Sequence, residues 1–443
     1  MKYDIAIIGS GPGGYSAALS LKKKNYSVCL IEKEDIGGVC LNRGCIPTKV
    51  MAAAARKMDD IKDFAGFGID AQVNGFDYKK LKLNQQNVIN GLTKGLEFSF
   101  KKAGVDVIKG FAEIKDRNTV VVHGDENTEI RVHKIIIATG SMPFCPPCFE
   151  SKDNVVTSET FWKCDDIPDE VVIVGGGVIG CEYASSLSKF GVKVTIVEML
   201  DKILYLEDVD VSTALTNELK RQGIKILCNK KVEEVANEDE DVVLRFGDNE
   251  TIKTKFVIVC TGRKLNLENI GLENIGIIDF KTINNSLKIA DNIWIAGDIA
   301  SGPQLAHKAY HDAHCITEQI IGNDVNPDYS NMPITIFTIP EISRVGLIEN
   351  ELEKNHEIKV IKVNYREIGK AVCENHTRGF MKLIFDKKTG VILNITIVGY
   401  LASEINAAAA VIVQSKMKIN DLGNITFSHP TLSELLHVAS IKI

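Results

Sequence analysis

The sequence predicts an α/β protein with two Rossmann-like dinucleotide-binding domains, a central segment and a C-terminal α+β domain. Three observations carry this. The run Asp4–Ile8 passes into Gly9-Ser10-Gly11-Pro12-Gly13-Gly14, a helical pattern over Tyr15–Lys24 and a second strand over Ser27–Glu32. That is the strand, glycine turn, helix and strand of a βαβ unit. The same order returns as Glu170–Val174, the turn Gly175 to Gly180, Cys181–Phe190 and Val192–Glu198, a duplication of architecture rather than a short repeat. From about Met332 the pattern changes to strands at Ser343–Leu347, Lys359–Asn364, Phe380–Phe385 and Ile392–Val398 with closing helices, which reads as α+β.

Between the two βαβ units, Gly104–Val132 carries short, polar-punctuated strands, and His133–Gly140 is an apolar strand ending in Ala138-Thr139-Gly140-Ser141. A matching strand, Lys255–Cys260, ends in Thr261-Gly262-Arg263, and Ile293–Ala296 leads into Gly297-Asp298. Each turn lies at the C-terminal end of a strand, where open α/β sheets keep their ligand crevice. A chain of 443 residues corresponds to about three domains. The expected boundaries are 1–146 and 147–266 for the nucleotide domains, 267–332 for a central segment completing the first, and 333–443 for the C-terminal domain.

Composition narrows the function classes. With 45% hydrophobic and 25% charged residues and a formal net charge of −6, the chain reads as a globular protein with no bias toward nucleic acid or anionic lipid. No apolar run approaches the roughly 20 residues that span a bilayer. The N-terminus enters a strand and glycine turn at once, so no signal or transit peptide is expected and residence is expected to be cytoplasmic. Most of the 11 cysteines stand singly in apolar elements, as do Cys29, Cys181, Cys260 and Cys315, and read as small buried hydrophobes in a reducing compartment. Two close pairs stand apart, Cys40/Cys45 and Cys145/Cys148.

The glycine turns let backbone N–H groups approach a pyrophosphate at a helix N-terminus, where the helix dipole favours anions. Glu32 and Glu198, each ending a second strand, suit a ribose diol. Glu198 also repels a 2′-phosphate, and Met199-Leu200-Asp201 supplies no arginine to receive one, with Lys202 the nearest cation; NAD is expected over NADP. The first turn, ahead of the Cys40/Cys45 pair, is expected to hold FAD.

In a regular helix, residues five apart have Cα atoms about 8–9 Å apart, beyond the roughly 4.4–6.8 Å of a disulfide. Gly44 and Pro47 offer a distortion, and a nearby helix N-terminus with Lys49 favours a thiolate. The alternatives at this point are a redox pair and two buried thiols at a loop. Cys145-Pro146-Pro147-Cys148 has the spacing of a redox or zinc half-site, but its prolines argue against a helix N-terminus and no second Cys/His pair is close in sequence. It is expected to be structural, and no metal site is expected.

The segment Gly37-Gly38-Val39-Cys40-Leu41-Asn42-Arg43-Gly44-Cys45-Ile46-Pro47-Thr48-Lys49 resembles the redox-active disulfide of the pyridine nucleotide–disulfide oxidoreductases, in the form carried by dihydrolipoamide dehydrogenases. The resemblance continues through Ala138–Ser141, Gly175–Glu182, Gly262-Arg263, Ala296–Asp298, Leu305–Ala309, Thr338–Glu341 and His429–Glu434, almost end to end. It implies a disulfide between Cys40, the thiol that exchanges with substrate sulfur, and Cys45, the flavin-facing thiolate. It implies FAD contacts at Gly9, Gly11, Gly14, Glu32, Lys49, Ala112, Gly140, Asp298 and Ala306, with Lys49 near the flavin's reactive edge. For NAD it implies Gly175, Gly177, Gly180, Glu182, Glu198, Val232 and Gly262. His429, held by Glu434, is the implied base, acting on the disulfide of the other subunit of a homodimer; a neighbouring carboxylate raises an imidazole's basicity and fixes its tautomer. His307 is implied at most as a backbone contact.

The implied activity is oxidation of protein-bound dihydrolipoyl groups with reduction of NAD. The implied partners are lipoyl domains of 2-oxo acid dehydrogenase or glycine cleavage complexes. One rival is a related disulfide reductase such as a glutathione reductase, which Glu198 and the missing arginines disfavour. A mercuric reductase is disfavoured because Ser440-Ile441-Lys442-Ile443 lacks the cysteine pair that such enzymes use. A purely structural subunit is disfavoured by the retained cysteines and His429. Two positions depart from the family pattern: Phe427 in place of a small or polar residue, and Asn394 in place of glycine.

Overall fold

The computed structural model describes residues 1–247, 250–277 and 287–442; the expected central segment therefore includes 278–286, and the C-terminal tail includes 443, which lie outside the described residues. The chain divides into two compact units, one of Met1–Thr48, Lys80–Phe144 and Arg263–Tyr329, the other of Lys49–Lys79, Cys145–Gly262 and Ser330–Ile443.

The first unit is built on an eight-stranded sheet whose main path runs Lys288–Ala290, Ile293–Ile295, Thr128–Ile137, Lys2–Ile8, Val28–Glu32 and Asp106–Lys109. Lys2–Ile8 pairs in parallel with strands on both sides, Ile5 opposite Val28 and Ile7 opposite Ile136. The chain thus leaves this strand to one side and returns on the other, and the crevice at its C-terminal end is a switch point. The helix Pro12–Lys23 covers the sheet with Ala17, Ala18 and Leu21. It begins three residues before the expected Tyr15, because Pro12 is preset for the first helical position and the glycine turn is itself the helix entry. The strand expected over His133–Gly140 runs instead from Thr128 to Ile137. Its first half alternates buried and exposed residues against an antiparallel neighbour, and only its last three residues, Ile135, Ile136 and Ile137, form a fully buried run in the parallel part of the sheet, where an unbroken apolar run is the readable signal.

The second unit repeats the plan with a fully parallel sheet in the order Lys225–Leu227, Lys193–Val197, Glu170–Val174, Val257–Val259 and Val155–Thr157. Its glycine turn again opens a helix early, Val178–Lys189 against the expected Cys181–Phe190. The C-terminal part of the same unit is a five-stranded antiparallel sheet, Ile334–Ile336, Glu341–Val345, Ile392–Gly399, Gly379–Asp386 and Ile358–Asn364 in spatial order. The helices Ala402–Gln414 and Glu434–Ile441 bury Ala409, Ile412, Leu435 and Leu436 in the core on this sheet. The four expected strands are all present, with ends moved by up to two residues. Asn394 is wholly buried; its amide donates to the Leu347 carbonyl at 2.8 Å and its oxygen accepts from Thr396 at 2.9 Å. It closes the turn after the neighbouring strand.

Candidate active site

The two glycine turns have the same geometry. Gly9 and Gly175 have φ of +100° and +107°, open to glycine alone at no cost, and a Cβ on either would collide with a carbonyl of the adjacent strand, Ala138 or Cys260. Gly14 and Gly180 pack so closely on the carbonyls of Gly9 and Gly175 that no side chain fits. A Cβ on Gly11 or Gly177, by contrast, would meet nothing within 4 Å. Neither helix has a side-chain cap or an acid in its first turn, so no side chain of the described residues caps its leading N–H groups. That is the donor set and the cradle that a dinucleotide pyrophosphate needs, and both turns fit such a group.

Each turn is braced by its acid. Glu32 Oε2 accepts from the backbone N–H of Ser10 at 2.9 Å and its hydroxyl at 2.7 Å, and Oε1 from Glu34 N–H at 2.8 Å. Glu198 does the same, Oε2 accepting from Gly176 N–H at 2.6 Å and Oε1 from Leu200 N–H at 2.8 Å. Glu32 Oε1 and both Glu198 oxygens, each accepting one of these bonds, keep a further lone pair for a ligand hydroxyl. Lys202 is turned to other use, donating to the Glu207 carbonyl at 2.6 Å.

Around the first turn, Gly140 has φ +69° in the connection between the strands Thr128–Ile137 and Ser141–Pro143, Ala112 is buried in the strand Phe111–Asp116, and Ala306 opens the helix Ala306–Ile320. Asp298 accepts from the Ser141 hydroxyl, which in turn accepts from Arg263 Nε at 2.7 Å. Around the second, Val232 begins the strand Val232–Glu238 and Gly262 has φ +121°.

The cysteines lie on two helices. Gly38–Asn42 ends at Arg43, and Cys45–Asp60 begins two residues later. The break at Arg43-Gly44 brings the Cα atoms of Cys40 and Cys45 to 4.6 Å and their sulfurs into a disulfide, a separation that an unbroken helix excludes. Asn42 holds the first turn, its amide donating to the carbonyls of Ile36 at 3.0 Å and Gly38 at 2.9 Å. The other described cysteines are free. Cys148 lies in a single 3-10 turn, Pro147–Phe149, and neither Cys145 nor Cys148 stands at the start of an α-helix. Burial pushes the Cys145 and Cys148 thiols up, away from the thiolate that redox or metal chemistry needs.

Lys49 Nζ pairs with Glu182 at 2.9 Å, and Glu182 is 5% exposed. Its other oxygen accepts from Phe337 N–H at 2.9 Å, while the Phe337 ring lies 4.2 Å from the Lys49 ammonium. His429 Nδ1 lies 2.9 Å from Glu434 Oε1, and Glu434 Oε2 accepts from Thr431 N–H at 2.9 Å. These bonds, that from His429 first, hold the Glu434 carboxyl below its usual range. Nδ1–H donation to this carboxylate leaves the Nε2 lone pair for chemistry, on a side chain that is 77% exposed. Phe427 is anchored by packing on the C-terminal core.

The predicted pairs Cys40/Cys45 and His429/Glu434 are thus brought together, as is Lys49 with Glu182. Sequence reasoning missed Phe337, and it missed the Ser141–Arg263 relay although both residues lie in quoted motifs. Nothing in the sequence ties Phe337 to Lys49.

The pyridine nucleotide-disulphide oxidoreductase model matches residues 3–313 and the dimerisation domain of the same family matches 332–440. The chain belongs to this family. Its members use FAD and NAD(H) and act as oxidoreductases on disulfides. The chain is 34% identical to a dihydrolipoyl dehydrogenase of Geobacillus stearothermophilus, covering 97% of this chain and 93% of the relative. It is 32% identical to one of Bacillus subtilis, covering 99% and 98%. Among solved structures, a copper(II) complex of the HOCl-induced flavoprotein disulfide reductase RclA of Escherichia coli has a TM-score of 0.91 at 28% identity, covering 100% of both chains. Among the described residues no helix is long and apolar enough to cross a membrane.

Proposed function

We propose that the chain oxidises dihydrolipoyl groups carried on protein domains to the cyclic disulfide, with NAD as final acceptor. The observation that carries this is the Cys40–Cys45 disulfide across a helix break, in a chain whose second nucleotide turn is braced by Glu198, with no arginine in Met199-Leu200-Asp201. His429 Nε2 takes the proton of one substrate thiol. The resulting thiolate attacks Cys40, the Cys40–Cys45 bond breaks, and Cys45 leaves as thiolate. The second substrate thiol then displaces Cys40 from the mixed disulfide, its proton passing to Cys40 as that sulfur leaves; the substrate ring closes, and the enzyme is left with a Cys40 thiol, a Cys45 thiolate and a protonated His429. FAD, when bound, supplies the two-electron relay from this dithiol to NAD. Lys49, fixed by Glu182 and Phe337, contributes a held positive charge. Glu198 receives the ribose diol of NAD.

On this reading residues 1–146 with 267–332 bind FAD, 147–266 bind NAD, and 333–443 join two subunits so that the partner subunit's His429 serves each disulfide. The substrates are lipoyl domains of 2-oxo acid dehydrogenase or glycine cleavage complexes. The enzyme works in the cytoplasm, where reducing conditions keep its remaining thiols free.

The similarity to a flavoprotein disulfide reductase makes other disulfides the competing substrates. An anaerobic steady-state assay compares dihydrolipoamide, glutathione disulfide and other disulfides, each with NAD(H) and NADP(H). Fastest turnover of dihydrolipoamide with NAD supports the proposal, and a higher kcat/KM for glutathione disulfide with NADPH overturns it.

A further inference from the structure

Lys308 and Asp312 are fully buried, one turn apart on the helix Ala306–Ile320, and pair at 2.9 Å. Burying two charges is unfavourable unless their remaining donors and acceptors are satisfied, and an apolar pair of similar volume often serves stability as well. Here the partners belong mainly to one turn. Lys308 Nζ donates to the carbonyls of Gly297 at 2.9 Å and Ala300 at 3.3 Å. Asp312 Oδ2 accepts from Gly297 N–H at 2.9 Å, and Oδ1 from the Tyr329 hydroxyl at 2.6 Å. The Tyr329 ring lies 5.0 Å from the Lys308 ammonium.

Both polar groups of Gly297 are therefore held by the ion pair, at a residue with φ +76°. The next residue is Asp298, whose Oδ2 is held by Ser141. Its Oδ1 accepts from none of the described residues. The backbone of the turn is held by the ion pair and the carboxylate by Ser141, and one carboxylate oxygen is left over for a ligand.

We infer that Lys308, Asp312 and Tyr329 are positioning residues for FAD, acting through the Gly297-Asp298 turn. The inference rests on the proposed role of Asp298 as an FAD contact. The test uses the holoenzyme, with FAD affinity read from flavin fluorescence on dilution and folding from urea unfolding of the same samples. Lys308→Met raises the FAD dissociation constant at least about tenfold, the scale of one hydrogen bond to a charged group. Tyr329→Phe, which keeps the ion pair, raises it about two- to tenfold and carries the test if Lys308→Met fails to fold. If Asp298→Ala leaves FAD affinity unchanged, the reading of Asp298 fails. If Asp298→Ala weakens FAD while Tyr329→Phe and any folded Lys308→Met do not, the inference is overturned. Lowered unfolding stability with unchanged FAD affinity overturns it equally.

Discussion

Replacing Glu198 by glutamine separates the two tasks of that carboxylate. The amide keeps the shape and one acceptor, so one of the two loop bonds, from Gly176 or Leu200, loses its partner with either cofactor bound. What changes between cofactors is the repulsion of a 2′-phosphate. Two unit charges about 4 Å apart interact by about 4 kcal/mol at an effective dielectric of about 20, and by about half of that where solvent screens the site further. Divided by 1.36 kcal/mol per tenfold, this is a roughly 30- to 1,000-fold preference for NAD carried by the charge. Glu198→Gln should lower the NAD/NADP ratio of kcat/KM by that range, and Glu198→Arg should lower it further. The assay is dihydrolipoamide oxidation at saturating thiol with each cofactor in turn. A ratio unchanged within about threefold in both variants would falsify the assignment, whatever the absolute rates.

General acid–base catalysis is worth roughly 10²–10⁴-fold, so His429→Ala should slow dihydrolipoamide turnover on that scale and largely spare NADH-driven reduction of an artificial acceptor; full lipoyl activity refutes its role. If His429 acts across a dimer, mixing Cys40→Ser and His429→Ala chains under confirmed subunit exchange restores one intact site per heterodimer, and no return of activity rejects that arrangement. Thiol titration of unfolded protein should find two more thiols after reduction than before, with no such gain in Cys45→Ser. Because the Glu434 carboxyl is depressed by its bond to His429, its hold on the imidazole is complete above the ordinary glutamate pKa and lost as pH falls through its lower folded-state value. Glu434→Gln should abolish that acid-side loss of His429 order, followed by the imidazole NMR shifts between about pH 2 and 5; an unchanged titration rejects the coupling.

What was legible in the sequence is what a single residue type enforces locally. Gly9 and Gly175 need positive φ, and Gly14 and Gly180 tolerate no Cβ, so both turns, their strands and their acids could be read directly. The cysteine pair was half legible. Gly44 announced a distortion, but only the structure shows two helices meeting at Arg43-Gly44 with Cα atoms 4.6 Å apart. Helix starts were placed three residues late because glycine and proline read as breakers, although at an N-terminus they are entry residues. Asn394, a departure from the family's glycine, is explained by its bonds to Leu347 and Thr396, which no sequence pattern shows. The Phe337 ring against Lys49 was illegible, because it joins elements far apart in sequence. Lys308 and Asp312 stand at a helical i,i+4 spacing, but that spacing alone does not show that the pair is buried or that it holds Gly297 and Tyr329.

The bracing of both turns by their own acids bears on how readily nucleotide preference can change. Glu32 and Glu198 each spend two or more acceptor directions on the loop N–H groups beside the phosphate cradle and keep the others for a ribose. A residue that only recognised ribose could be exchanged at little structural cost. These cannot, because removing the carboxylate also releases a buried loop donor, at about 1–3 kcal/mol for an unmet hydrogen bond. The Gly176 position tightens the coupling, since a Cβ there would press on the Glu198 side chain and on Ile203. A switch toward NADP therefore needs two changes together, a cation for the 2′-phosphate and a new acceptor for the Gly176 and Leu200 amides. Lys202, the nearest cation in sequence, is engaged with the Glu207 carbonyl. Nucleotide choice and turn stability are one property of this loop.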